Sequence, residues 1–151
     1  MTVTNPSLVF DQEYKVIFRR PTASPKVSII SGGGSGHEPA VAGLVGKGLL
    51  TASAAGTVFA SPTAEQVRKA ALEGSISTEK GVLIIPANYT GDVLNFGMAS
   101  EKLRAAGVDT EFFAVNDDVG VGRKKGGKVG RRGIAGAALV LKLVGALAED
   151  G

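Results

Sequence analysis

Val27–Ala40 reads VSIISGGGSGHEPA. An apolar run, Val27–Ile30, enters a cluster of glycines and serines that ends at His37, the only histidine in 151 residues. A short apolar run closed by glycine has the form of a buried β-strand. Glycine loses more conformational freedom on folding than any other residue, so a cluster marks a tight turn or a close approach of backbone to a ligand. The stretch therefore predicts a strand over Val27–Ile30, a loop over Gly32–His37, and an imidazole delivered to the strand's carboxyl end.

The same alternation continues downstream. Val82–Ile85 is apolar on both faces, as a strand inside a parallel sheet must be. Thr110–Val115 reads as another strand and Leu50–Ala54 as a weaker one. Ser61-Pro62 offers an N-cap and a proline at the first helical position for a helix over Thr63–Leu72, with Gly74 as its stop. Asp92–Ala106 is a second helix closed by Gly107. Ile134, Ala138, Leu141, Gly145 and Ala148 share one face of a final helix, rich in small residues and suited to close packing. Strand and helix alternate, which predicts an α/β fold with a mainly parallel sheet and helices on both faces. Residues 1–26, punctuated by Asn5-Pro6, Pro21 and Pro25, read as an N-terminal arm, and residues 27–151 as a single α/β lobe.

Composition narrows the function classes. With 44% hydrophobic and 21% charged residues the chain has enough apolar material for a core and is not of the disordered type. The absence of cysteine excludes disulfides and thiolate metal sites and fits a reducing compartment. MTVTNPSLVF lacks the basic and apolar regions of a signal peptide, and no apolar stretch approaches ~20 residues, so the expectation is cytoplasmic with no membrane contact. Much of the net charge of +3 falls in Arg123–Arg132, without interleaved aromatics, which gives no signature of nucleic-acid binding.

In open α/β sheets ligands bind beyond the carboxyl ends of the strands. Three polar turns lie there: Gly32–His37, Asn88–Asp92 and Asn116–Asp118. If their strands are neighbours, His37, Asp92 and Asp117 or Asp118 enter one crevice. The glycine loop is not a P-loop, since His37-Glu38 stands where lysine and Ser/Thr are needed. Neither does it complete the dinucleotide pattern or the GxSxG elbow that would make Ser35 a nucleophile. It does suit an NH-rich nest for an oxygen or phosphate.

His37 is either a helix-start residue satisfied by hydrogen bonds or an acid–base group, for which an imidazole is suited at neutral pH. Glu38 suits the amino terminus of a helix. Asp92 caps the helix that follows it, acts with His37 on a small polyol or hydroxyketone, or does both. The basic segment Arg123–Arg132 is a solvated loop or an attractant for a phosphorylated ligand. Asp117-Asp118 offers too few ligands for a cation, and no metal site is expected.

Five motifs resemble a known family. Ser31–Pro39 (SGGGSGHEP), Phe59–Thr63 (FASPT), Asn88–Phe96 (NYTGDVLNF), Asn116–Val119 (NDDV) and Gly130–Gly136 (GRRGIAG) occur in matching order and spacing in dihydroxyacetone kinases. The similarity runs over roughly residues 5–149 and is greatest with the first lobe of the substrate-binding domain of the ATP-dependent type. It implies that Gly33, Gly34, Ser35, Asn88 and Asp117 help to hold a ketone substrate. It also implies that His37 and Asp92 are acid–base partners beside the substrate hydroxyls.

The departures shape the functional expectation. In the family a second lobe carries the histidine that bonds covalently to the substrate, and a separate helical domain binds ATP. Neither falls within these residues. ATP and magnesium are thus implied for the full-length family enzyme and no cofactor for this chain alone. Ala87 stands where the family usually has lysine, and Val41 replaces a frequent histidine. The expectation is a hydroxyketone- or polyol-binding protein of the kinase family that is not an autonomous kinase and self-associates. The alternatives are a stand-alone acid–base enzyme (an isomerase, dehydratase or cyclase) using His37 and Asp92, and a non-catalytic binding or scaffold protein.

Overall fold

A computed structural model describes residues 5–21, 24–72, 76–122, 126 and 129–151. Six strands form one sheet: β1 (Leu8–Asp11), β2 (Val16–Arg19), β3 (Ser28–Ser35), β4 (Ala52–Val58), β5 (Val82–Ile84) and β6 (Thr110–Phe112). Their order is β1-β2-β4-β3-β5-β6, with β4, β3, β5 and β6 mutually parallel. The sheet is mixed α/β and mainly parallel, as the alternation predicts.

Residues 1–26 do not form a separate arm along their described length. β1 and β2 make an antiparallel hairpin, and β2 pairs antiparallel with β4, so this segment extends the sheet. Its apolar residues explain why. Val16 and Phe18 join the core on one face of the sheet while Ile17 joins the core on the other. The alternation in Val16-Ile17-Phe18 was obscured by the flanking Arg19-Arg20 and the prolines.

Three helices cover the sheet: α1 (Ala64–Leu72), α2 (Thr90–Ala105) and α3 (Gly136–Asp150). Helices α1 and α2 bury Val67, Ala70, Ala71, Phe96, Ala99 and Leu103 against Val16, Ile30, Ala52, Ala54, Val82 and Ile84. On the opposite face, α3 places Leu141 against Leu8, Ile17, Ile29, Leu50, Ile85 and Val115. Core residues thus alternate along every central strand, the period-two arrangement that burial on both faces demands.

Two helix starts differ from expectation. Helix α1 is capped by Thr63, not Ser61. The Gln66 amide donates to Thr63 Oγ1 at 3.2 Å and the Thr63 amide to Gln66 Oε1 at 2.9 Å, a reciprocal capping box. Helix α2 begins at Thr90, so Asp92 lies inside its first turn and is not its cap. Gly74, the expected stop of α1, lies outside the described residues.

The expected face of α3 is also shifted. Ala137, Val140, Leu141, Val144 and Ala148 pack inward, whereas Ile134 and Ala138 are exposed. Gly145 is buried where α3 presses on the loop before β4: a Cβ there would sit 2.5 Å from the Leu49 Cα. The outward face carries Leu139, Leu143 and Leu147, each at least 60% exposed.

Candidate functional site

Strand β3 is the pivot of the sheet, with β4 on one side and β5 on the other. The chain reverses direction across the sheet at this point, the place where a crevice opens in an α/β fold. A cleft of about 740 Å³ lies there. Its walls come from Gly32, Gly33 and Gly34 on β3, Phe59–Ser61 after β4, Ala87 and Tyr89 after β5, and the start of α3.

Contrary to the expected loop, the glycine run is strand: β3 continues through Ser35. Between the pairs Gly33–Ala55 and Ser35–Val58, β4 carries one residue more than β3, which shifts the register at the cleft. Gly34 permits this contact, since a Cβ there would lie 2.7 Å from the Ala60 nitrogen. A Cβ at Gly33 would meet nothing within 4 Å, so bare backbone faces the open cleft.

His37 stands just beyond this strand, exposed and on the cleft wall. Its Nδ1 lies 3.0 Å from the Gly34 carbonyl oxygen. A carbonyl only accepts, so Nδ1 carries the proton and Nε2 is left for chemistry. The ring meets Phe59 edge-on, with centroids 5.1 Å apart and an interplanar angle of 77°. No long helix follows. Only a one-turn 3-10 helix, Ala42–Leu44, is present, and Glu38 accepts from the Gly36 amide instead of capping a helix. That amide holds the Glu38 carboxyl below its usual range.

Asp92 lines the same cleft from α2. Burial pushes its carboxyl up from the ordinary value, while the neighbouring Ser61 hydroxyl and His37 pull the other way. Its Oδ1 is buried with no hydrogen-bond partner among the described residues. Such an atom is a natural acceptor for a ligand hydroxyl, because leaving it unpaired is costly. The sequence offered Ser61 only as a helix cap, not as a cleft residue. The signal was the Thr63-x-x-Gln66 capping box, which takes over the helix cap and leaves Ser61 to the cleft.

The other residues taken as substrate contacts are engaged elsewhere. Ser35 Oγ donates to the Gly56 carbonyl at 2.6 Å. Asn88 Nδ2 donates to the carbonyls of Val129 (3.1 Å) and Arg131 (2.6 Å), fixing the end of the basic segment. Asp117 accepts from the amides of Ile134 and Gly136, both at 2.7 Å, and these bonds hold its carboxyl below the usual range. Asp118 is buried against Arg132. Neither acid lines the cleft. Asp117 instead fixes the start of α3, where Gly133, Ile134 and Ala135 form the far wall. Of the basic segment, residues 123–125 and 127–128 lie outside the described residues.

Among the described residues there is no group of three His, Cys, Asp or Glu that could hold a metal ion, and no helix long and apolar enough to cross a membrane.

The family model described as the Dak1 domain matches residues 1–151. Dihydroxyacetone kinase 1 of Saccharomyces cerevisiae is 49% identical over 148 residues, which are 98% of this chain and 25% of the relative. The triokinase/FMN cyclase of Rattus norvegicus is 46% identical, over 97% of this chain and 25% of the relative. The chain thus spans about a quarter of the length of these relatives. Among solved structures, the dihydroxyacetone kinase operon co-activator Dha-DhaQ superposes with a TM-score of 0.89 at 35% identity, covering 99% of this chain and 45% of that one. The dihydroxyacetone kinase of C. freundii superposes with a TM-score of 0.82 at 43% identity, covering 95% of this chain and 26% of that one.

Proposed function

This chain belongs to the Dak1 domain family, and we propose that its cleft binds a small hydroxyketone or polyol between His37 and Asp92. The observation that carries this reading is the pairing of an imidazole with a buried, unsatisfied carboxylate oxygen across a cleft floored by bare backbone. A ligand hydroxyl satisfies Asp92 Oδ1, and a second oxygen approaches the β3 backbone at Gly33. His37 accepts a proton at Nε2. Asp92, whose protonated form is favoured by burial, returns one to an oxygen.

We propose no phosphoryl transfer by these 151 residues alone. The strand-end sequence lacks the lysine and Ser/Thr of a nucleotide cradle. The decisive experiment is titration of dihydroxyacetone into the protein while following the NMR signals of its single imidazole. Saturable shifts, lost in Asp92→Asn, are expected. Absence of any shift up to high millimolar ligand overturns the reading.

Two other readings each have one observation in their favour. The presence of His37 and Asp92 in one cleft favours stand-alone acid–base chemistry without phosphoryl transfer. Here His37 removes a proton beside the carbonyl while Asp92 protonates its oxygen. Deuterium exchange at that carbon, abolished by His37→Ala, is the corresponding assay. The likeness to an operon co-activator favours a non-catalytic binding role, in which ligand binds and no exchange occurs. The stripe Leu139, Leu143 and Leu147 supports self-association through α3. The lack of cysteine is in keeping with a cytoplasmic protein.

A further inference from the structure

We propose that Phe59 is a positioning residue that fixes the orientation and tautomer of His37. This rests on the reading of His37 as the proton-transfer group. Phe59 has a φ of +51°, a left-handed backbone uncommon for a bulky residue, and its side chain is 70% exposed. Neither feature serves the core. Both serve the imidazole, which the ring meets edge-on at 5.1 Å.

The surroundings are shaped to hold the ring there. The Phe59 amide donates to the Ser35 carbonyl at 2.8 Å, and the Ala60 amide to Thr57 at 3.1 Å, which together set the turn. Two glycines of the SGGGSGH stretch make the room. A Cβ on Gly34 would lie 2.8 Å from the Phe59 carbonyl carbon, and one on Gly36 would lie 2.7 Å from its ring. His37 is therefore bounded on two sides, by the Gly34 carbonyl at Nδ1 and by the Phe59 ring. Exposed imidazoles rotate freely, and a free imidazole prefers its proton on Nε2. Here the ring is parked in the opposite tautomer, with Nε2 as the base.

The test uses nitrogen-15 NMR of the single histidine in the intact chain, with no substrate needed. In Phe59→Ala the neutral imidazole should move from the Nδ1–H tautomer toward the Nε2–H form and lose its ring-current shift. Phe59→Tyr should restore both. Phe59→Gly, which accepts the left-handed backbone, should melt no lower than Phe59→Ala yet show the same loss of tautomer preference. Dihydroxyacetone binding should weaken roughly tenfold or more in Phe59→Ala. An unchanged tautomer in Phe59→Ala, or no recovery in Phe59→Tyr, overturns the proposal. A changed tautomer together with no hydroxyketone binding by the parent chain upholds the positioning role and rejects the substrate reading instead.

Discussion

Asp117 accepts the Gly136 amide hydrogen over 2.7 Å, and through that bond a residue outside the cleft holds one of the cleft's walls. Its other oxygen takes the Ile134 amide at the same distance, so one carboxylate satisfies two donors at the start of α3. Asp117→Ala should lower the melting temperature of the protein, as loss of a helix cap does. Ligand binding should weaken with it, because Ile134 and Ala135 lose their anchor. Thermal melts and the dihydroxyacetone titration on the same variant check both. Asp117→Asn, which keeps the acceptor, should recover part of each.

His37→Ala should leave stability nearly unchanged, since the side chain is exposed and fills no core volume. Any proton exchange on the substrate should fall by at least about a hundredfold, the usual contribution of a general base. A melting curve and an exchange assay on one preparation separate the two. Equal losses of both would assign His37 a structural role.

Asp92 predicts an unusual pH dependence. Burial raises its carboxyl above the ordinary aspartate value, so the fold favours the protonated form. Its contribution to stability is fully present below pH 3.8 and is lost as pH rises through the folded pKa. Asp92→Asn should therefore melt at or above the parent at neutral pH, with the difference vanishing in acid, while binding is lost. Ser61→Ala removes a neighbouring hydroxyl that lowers the Asp92 pKa, so its titration should move further up. Carbon-13 NMR of the carboxyl reads this directly.

Glu149 behaves in the opposite sense. Its carboxyl is held down to about 2 from an ordinary value of 4.5, chiefly by the hydrogen bond from Arg19, with the Gly48 amide and Lys26 also contributing. These contacts tie the end of α3 to β2 and to the loop before β4. The stabilisation is complete above pH 4.5 and lost as pH falls toward 2. Glu149→Gln should destabilise the neutral protein by roughly 1–3 kcal/mol, since the pair is largely shielded from water. The gap between parent and variant should close in acid, as melts across this window will show.

The leucine stripe of α3 predicts self-association in solution. Leu143, at 60% exposure, sits between Leu139 and Leu147 one turn to either side. The parent chain should show more than the monomer mass by light scattering at micromolar concentration and above, and Leu143→Asp should return it to monomer. A monomeric parent rejects the idea.

Sequence periodicity alone specified the parallel core. Ile29-Ile30 and Val82–Ile84 are apolar on both faces, which only a doubly covered strand accommodates. The polar turns beyond them, in α/β logic, placed His37 and Asp92 at one crevice, and both line it. Periodicity said nothing about partners far away in the chain. That Asp117 accepts the Gly136 amide, that Arg19 and Lys26 reach Glu149, and that Val16–Arg19 joins the edge of β4 are contacts between distant segments. Ser61 and Phe59 came to the cleft for the same reason. A local cap at Thr63 released the one, and two glycines more than twenty residues upstream admitted the other. Local propensity sets which elements form. Close approach between segments, measured in tenths of an ångström, sets which side chains meet, and only the packed chain decides it.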